Sequence, residues 1–150
     1  MQEFLGISSS VVFLAGCFPY IRDILLKTTI PERAPWFIWT VLGVISFAAL
    51  LAEGATWSLC LIAAFVVGDL IIFGLSLKYG VGGFRKRDVA ALVGSAIGLY
   101  LWYLTRHAYI SLFITILIDA SGYLLIYVKV LEDPKTETVS AWICFALSGL

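Results

Sequence analysis

The sequence has very little charge. Only 13% of its 150 residues are Asp, Glu, Lys or Arg, against roughly 25% in a typical soluble domain. Apolar residues make up 61% of the chain, and the mean hydropathy is +1.01. A soluble domain of this size leaves too much surface in water to hide so many apolar side chains. The composition therefore excludes a cytosolic enzyme, a secreted disulfide scaffold, a nucleic-acid binder and a disordered tail, and it indicates an integral membrane protein.

Metal ligands and disulfide partners are also scarce. The three cysteines all lie inside apolar runs, and His107 is the only histidine. The sequence has no Cys-x-x-Cys or Cys/His spacing of the kind that binds zinc. It also has no nucleophile–base pair and no phosphate-binding loop. We therefore expect no enzymatic activity, no cofactor and no metal.

Apolar runs alternate with short polar connectors along the whole chain. Runs of about 17–23 residues are long enough for a helix to cross a hydrocarbon core of roughly 30 Å, and backbone groups in lipid need internal partners, so helices are expected. The expected spans are 4–26, 35–52, 57–77, 89–105 and 108–130, with a sixth from 139 to 150. Because the sixth would cover only about 18 Å, we expect it to be a truncated span.

The basic residues are distributed very unevenly between the connectors. Those after spans one, three and five, with their flanks, hold nine of the ten Lys and Arg residues, and only Arg106 lies on the other side. The nine are Arg22, Lys27, Arg33, Lys78, Arg85, Lys86, Arg87, Lys129 and Lys135. By the positive-inside rule these connectors are cytoplasmic and the N-terminus is outside.

A shift of 103 positions superposes the first two spans on the fifth and sixth. The matched identities are Tyr20 with Tyr123, Pro31 with Pro134, and Trp39 with Trp142. A shift by four spans preserves orientation, as in transporters built from parallel repeats. We therefore predict a first triple-helix unit over 1–79 and a basic connector with a linker helix over 80–106. Residues 107–150 would begin a second triple-helix unit, whose third helix is absent.

Four short stretches carry a pattern found in one known group of membrane proteins. They are Gly16-Cys17-Phe18-Pro19-Tyr20-Ile21-Arg22-Asp23, Thr28-Thr29, Pro31 and Pro35-Trp36-Phe37-Ile38-Trp39. They resemble the PQ-loop clan, especially the SWEET and SemiSWEET sugar transporters and their bacterial relatives, although Tyr20 stands where the clan has glutamine. The resemblance implies a SWEET-like fold, a multi-pass location in a bacterial inner membrane, and transport of a small polar solute.

Two carboxylic acids lie in the middle of expected spans, where an unpaired charge costs several kcal/mol. Asp69 is in the third span and Asp119 in the fifth, so both should point into the bundle. Thr115, Gly122 and Tyr123 share the helical face of Asp119. We interpret both acids as solute contacts and as proton-coupling groups, or alternatively as hydrogen-bonded contacts between helices. The resemblance supports a solute contact at Asp69, because SWEET-type transporters carry a polar residue on the matching helix.

Pro19 interrupts the hydrogen bonding of the first helix. With Gly16 one turn earlier, it forms a candidate hinge for alternating access, or else a static bend that improves packing.

Aromatic side chains complete the candidate site. Tyr20, Trp39, Tyr123 and Trp142 are candidate solute contacts, because aromatic rings can stack on a sugar or a heteroaromatic ring. Trp36 lies at the cytoplasmic end of the second span. We interpret it as a residue of the aromatic belt at the membrane interface, or alternatively as part of a stacking wall for the solute ring.

Gly94 and Gly98 form a GxxxG pattern that is a candidate self-association face for a homo-oligomer. The leading interpretation is a transporter of a sugar, amino acid or nucleoside precursor, with or without proton coupling. The expected partners are this solute and the lipid bilayer, and no nucleic acid. The alternative is a membrane receptor or assembly subunit of the same fold. A cavity that reaches both acids would favour transport, and a dry, packed midplane would favour the receptor.

Overall fold

Within the described residues, the chain folds into six α-helices and one short 3-10 helix. The computed structural model describes residues 2–83, 85–105 and 108–149. The α-helices are α1 (Gln2–Leu25), α2 (Arg33–Ala52), α3 (Ser58–Tyr79), α4 (Lys86–Thr105), α5 (Ala108–Glu132) and α6 (Val139–Ser148), and the 3-10 helix is Pro134–Thr136. The expected all-α fold is confirmed. The connector between the expected spans 89–105 and 108–130 lies outside the described residues.

In the part of the chain that the structure describes, four helices contain a segment that is long and apolar enough to cross a membrane. These segments are Gly6–Leu25, Arg33–Ala52, Leu59–Tyr79 and Phe113–Glu132. Large apolar side chains on them face outward, with Phe18 72% exposed and Leu131 66% exposed, as expected for surfaces that meet lipid. The chain is a multi-pass membrane protein. Helix α4 is not among the four and α6 has ten residues, so the spans expected there stay predictions.

The helices pack in a chain of neighbours. Helix α3 packs on both α1 and α2. Helix α6 packs on α1. Helix α5 packs on α2 and also on α4. Helix α1 meets α2, and α5 meets α6, through the large aromatic side chains Tyr20 with Trp36 and Tyr123 with Trp142. Close approach of α1 to α3 depends on Gly68, because a β-carbon there would lie 2.7 Å from the Phe13 ring.

The ends of α1, α3 and α5 meet the beginnings of α2, α4 and α6 at one end of the bundle. We call it the charged end and define it by the connectors 26–32, 80–85 and 133–138 together with the first and last turns that they join. The connector 80–85 needs glycine at Gly82 and Gly83, whose φ angles are +74° and +93°. The Asp88 carboxylate holds this connector, because its Oδ2 accepts the backbone N–H groups of Gly83 at 2.6 Å and Arg85 at 3.1 Å.

Candidate solute cavity

Aromatic rings from α1, α2, α5 and α6 form a continuous cluster next to the charged end. Ring centroids lie 5.2 Å apart for Tyr20 and Trp36, 5.2 Å for Trp36 and Trp39, and 4.9 Å for Trp39 and Tyr123. Trp142 of α6 joins the cluster, 6.2 Å from Tyr20, Trp39 and Tyr123 alike. Most of these pairs are tilted or edge-on, the arrangement that aromatic quadrupoles prefer. The cluster links helices that are far apart in sequence.

A cavity of about 280 Å³ lies beside this cluster, deeper in the bundle than the charged end. Its wall comes from α1, α2, α3, α5 and α6. The lining residues are Phe13, Trp36, Trp39, Leu42, Gly43, Ser46, Ile62, Phe65, Asp69, Thr115, Ile116, Asp119, Tyr123, Trp142 and Phe145. The volume is close to the lower limit of pockets that bind small organic molecules.

Both mid-helix acids line this cavity. Asp69 of α3 is 8% exposed and Asp119 of α5 is half-buried. None of the ion pairs among the residues that the structure describes involves either acid. The cavity therefore contains two acids that the observed side chains do not neutralise.

Trp39 is positioned against α5 by a glycine. A β-carbon on Gly122 would lie 2.8 Å from Nε1 and Cε2 of Trp39, so only glycine lets the indole lie flat against the α5 backbone. From there the indole Nε1 donates a long hydrogen bond of 3.5 Å to the carbonyl oxygen of Asp119. The small residue at Gly122 therefore places a large ring beside a cavity acid.

The structure brings together five of the six candidate solute contacts. Asp69, Asp119, Trp39, Tyr123 and Trp142 all line the cavity. Tyr20 does not line it: this side chain is fully buried between the cavity and the charged end.

Several lining residues had no distinguishing feature in the sequence. Phe13, Phe65 and Phe145 are ordinary apolar residues of transmembrane runs, and only helix packing directs them to the cavity. The interpretation of Trp36 as a belt residue is wrong, because it is 2% exposed and lines the cavity. The packing of α2 against α3 and α5 directs this end of the helix inward.

The two candidate hinge residues lie within α1, which continues as a helix through Pro19. Gly16 faces α6, because a β-carbon there would lie 2.7 Å from Cβ of Cys144 and 3.1 Å from the carbonyl oxygen of Ala141. Gly16 is therefore the point of close approach between α1 and α6. A hinge at this point stays a prediction.

A buried ion pair lies at the charged end, adjacent to the aromatic cluster. Lys129 of α5 is 5% exposed and donates to the Glu137 carboxylate and to the carbonyl oxygen of Ile30. Glu137 also accepts a 2.9 Å hydrogen bond from Nε1 of Trp142. Lys129 thus joins two connectors, because Ile30 lies in the connector before α2 and Glu137 lies in the connector before α6. From the sequence, Lys129 is simply one of the nine basic residues near the connectors.

Glu32 forms a second buried group at the charged end. Its side chain is fully buried, and Arg87 lies 3.4 Å from its Oε1. Burial raises the pKa of Glu32 above its usual range, the Asp88 carboxylate raises it further, and Arg87 opposes the shift. The Arg87 guanidinium also contacts the exposed Glu132 at 2.6 Å, so it joins the connector before α2 to the end of α5.

Arg33 holds the beginning of α2 to the end of α3. Its guanidinium donates to the carbonyl oxygens of Ser76 at 3.0 Å, Gly80 at 2.7 Å and Gly82 at 3.0 Å. The backbone reinforces this contact through the N–H of Arg33, which donates to the Val81 carbonyl at 3.0 Å.

Two further predictions concern metals and self-association. Among the residues that the structure describes, no group of three or more His, Cys, Asp or Glu side chains is arranged to hold a metal ion. On α4, a β-carbon on Gly94 would meet open space, whereas one on Gly98 would lie 2.9 Å from the Ile118 side chain of α5. Gly98 is therefore covered within the chain, and only Gly94 is open.

The chain matches no protein-family model, no curated protein and no solved structure. Its function must therefore be argued from the cavity and from the residues around it.

Proposed function

We propose that this protein is a carrier of small polar solutes that works by alternating access, on a SWEET-like plan. One observation carries the proposal: a cavity of solute size reaches both mid-helix acids, Asp69 and Asp119. A carboxyl group at this depth is costly unless it is paired, protonated or in contact with water or a ligand. The absence of an ion pair to either acid among the described residues favours contact with water or a solute.

The contacts between helices support a two-unit carrier. In the proposed repeat α1 corresponds to α5 and α2 to α6, and the packing of α1 on α6 corresponds to that of α5 on α2. The ring contact of Tyr20 with Trp142 corresponds to that of Tyr123 with Trp39. The cavity lies between these equivalent contacts, which is where a carrier with two rocking units binds its solute.

In the proposed orientation, the charged end faces the cytoplasm and the N-terminus faces outward. The nine basic residues near the three connectors support this orientation. The aromatic cluster and the Lys129–Glu137 pair then close the cytoplasmic side of the cavity. Asp69 and Asp119 are the candidate proton-coupling groups.

Uptake into proteoliposomes tests the proposal. The purified full chain is reconstituted and offered radiolabelled glucose, amino acids and nucleosides, with and without an imposed pH gradient. We expect saturable uptake of at least one of these classes above that of protein-free liposomes. Asp119→Asn should lower the response to the gradient, and Glu53→Gln, which changes an exposed acid at the other end of α2, should not.

Two results would count against parts of the proposal. An identical pH response of the wild type and Asp119→Asn removes Asp119 from proton coupling. No uptake of any class, by protein that retains its helical circular dichroism, favours the alternative of a receptor or assembly subunit. The open Gly94 face would then be the first surface to examine for a partner.

A further inference from the structure

The cavity combines two features that are seldom found together in one small pocket. Seven of its fifteen lining residues are aromatic, and two are carboxylic acids. The aromatic residues are Phe13, Trp36, Trp39, Phe65, Tyr123, Trp142 and Phe145. Among the described residues, no Lys, Arg or His lines it. The wall therefore offers negative charge and ring quadrupoles, but no positive group that would attract an anion.

Three basic side chains of the charged end, Lys129, Arg33 and Arg87, already have partners there. Lys129 is held by Glu137 and by the Ile30 carbonyl. Arg33 is held by three carbonyl oxygens, and Arg87 by Glu132 and Glu32. Releasing any of them to neutralise the cavity acids would leave a buried partner unsatisfied. Among the residues that the structure describes, these cations are committed to the charged end, which leaves a bound ligand as a source of positive charge for the cavity.

We propose that the cavity binds a small organic cation, in which an alkylated or ring nitrogen carries the positive charge. The carboxyl groups of Asp69 and Asp119 attract the charge, and the Trp and Tyr rings favour a weakly hydrated cation over water through cation–π contacts. An inorganic cation would fit the acids but would gain little from the aromatic wall. A neutral solute of the same shape would gain the ring contacts but not the attraction of the acids.

This inference rests on the proposed function, because the organic cation would be the solute that the carrier transports. Ligand binding, however, can be measured without transport. Choosing probes that differ in charge but hardly in size isolates the electrostatic contribution. N-methylpyridinium and 4-methylpyridine form such a pair at mildly alkaline pH, where the first is a cation and the second is neutral.

The experiment is a calorimetric titration of both probes into the full chain held in lipid nanodiscs. We expect N-methylpyridinium to bind at least about tenfold more tightly than 4-methylpyridine. In the double variant Asp69→Asn/Asp119→Asn the two probes should bind with similar, weak affinity. Glu53→Gln removes an exposed negative charge outside the cavity and should keep the wild-type preference.

Circular dichroism and thermal unfolding show whether each variant is folded. If the double variant does not fold, the single variant Asp119→Asn takes its place, with a smaller but definite loss of preference expected. Equal affinity for the two probes, no binding of the cation, or an unchanged preference in the Asn variants overturns the inference.

The two proposals fail in different ways. Cation binding without uptake into proteoliposomes rejects the carrier and keeps the cation site. Uptake of a neutral sugar without cation binding keeps the carrier and rejects the cation site.

Discussion

Carboxyl groups meet opposite surroundings in two regions of this molecule. At the charged end, the buried Glu137 is paired with Lys129 and the buried Glu32 with Arg87. In the cavity, Asp69 and Asp119 take part in none of the ion pairs of the described residues. A buried acid with a basic partner is part of the framework, and removing either member leaves an uncompensated charge. A buried acid that faces a cavity without such a partner is instead available to a ligand. Under the proposed function, the same residue type has a structural role in one region and a recognition role in the other.

The largest effect expected from this comparison is at Lys129. Lys129→Met leaves the Glu137 carboxylate buried without its cation, so the free energy of unfolding should fall by about 3–5 kcal/mol. Denaturant unfolding of the purified protein, followed by circular dichroism, measures the loss. Lys135→Met removes an exposed lysine of the same connector region and should cost far less. Equal losses of unfolding free energy in the two variants would mean that the buried ion pair stabilises the fold no more than an exposed lysine does.

A smaller effect is expected where α5 approaches α2. Gly122→Ala would place a methyl group against the Trp39 indole, which should cost about 1–3 kcal/mol and weaken ligand binding in the cavity. Gly94→Ala is the matched control, because its methyl group meets open space. The control should be neutral or gain up to about 1 kcal/mol from its better helix propensity. Thermal unfolding compares the stabilities of the two variants. A Gly94→Ala variant less stable than Gly122→Ala would contradict the close approach of Trp39 to α5.

The pH dependence of stability tests the charged end. Glu32 has a raised pKa in the folded state because it is buried and lies near Asp88, so the folded protein holds this proton more tightly than the unfolded chain. The resulting stabilisation is complete below the ordinary pKa of about 4.3, and it is lost as the pH rises through the folded-state pKa. Unfolding free energies measured at increasing pH should therefore fall more steeply for the wild type than for Glu32→Gln. Parallel curves would refute this role for Glu32.

The smallest stability effect is expected for the cavity acids. Asp69→Asn and Asp119→Asn preserve shape and break no observed ion pair, so each should change the unfolding free energy by less than about 1 kcal/mol. Their effect should appear in ligand binding instead. A stability loss as large as that of Lys129→Met would place these acids in the framework, and the contrast between the two regions would disappear.

The helices themselves follow closely from the sequence. Lipid requires internal backbone hydrogen bonds, so apolar runs of spanning length become helices. Their bounds differ by a few residues from those expected: α2 begins at Arg33 rather than Pro35, because proline is tolerated in the first turn of a helix. Helix α5 continues to Glu132, since Lys129 and Glu132 find partners at the charged end.

The candidate site follows from the sequence only in part. Asp69 and Asp119 are recognisable because mid-span carboxyl groups are costly. That they share one cavity depends on which helices are neighbours, and hydrophobic patterns do not encode this. Trp36 was misjudged for the same reason, since its distance from the span end says nothing about the direction it faces. The Lys129–Glu137 pair was missed because it forms only when the connector after α5 folds back.

The Arg33 contacts with three carbonyl oxygens have a mechanical consequence. They join the start of α2 to the last turn of α3, so we expect the two helices to move together as one rigid unit. By contrast, the junction of α1 with α6 near this end includes a single hydrogen bond that the Thr138 hydroxyl donates to the Asp23 carboxylate. An opening that admits a solute from the charged end would therefore start with α6 parting from α1, while the α2–α3 pair turns as one body.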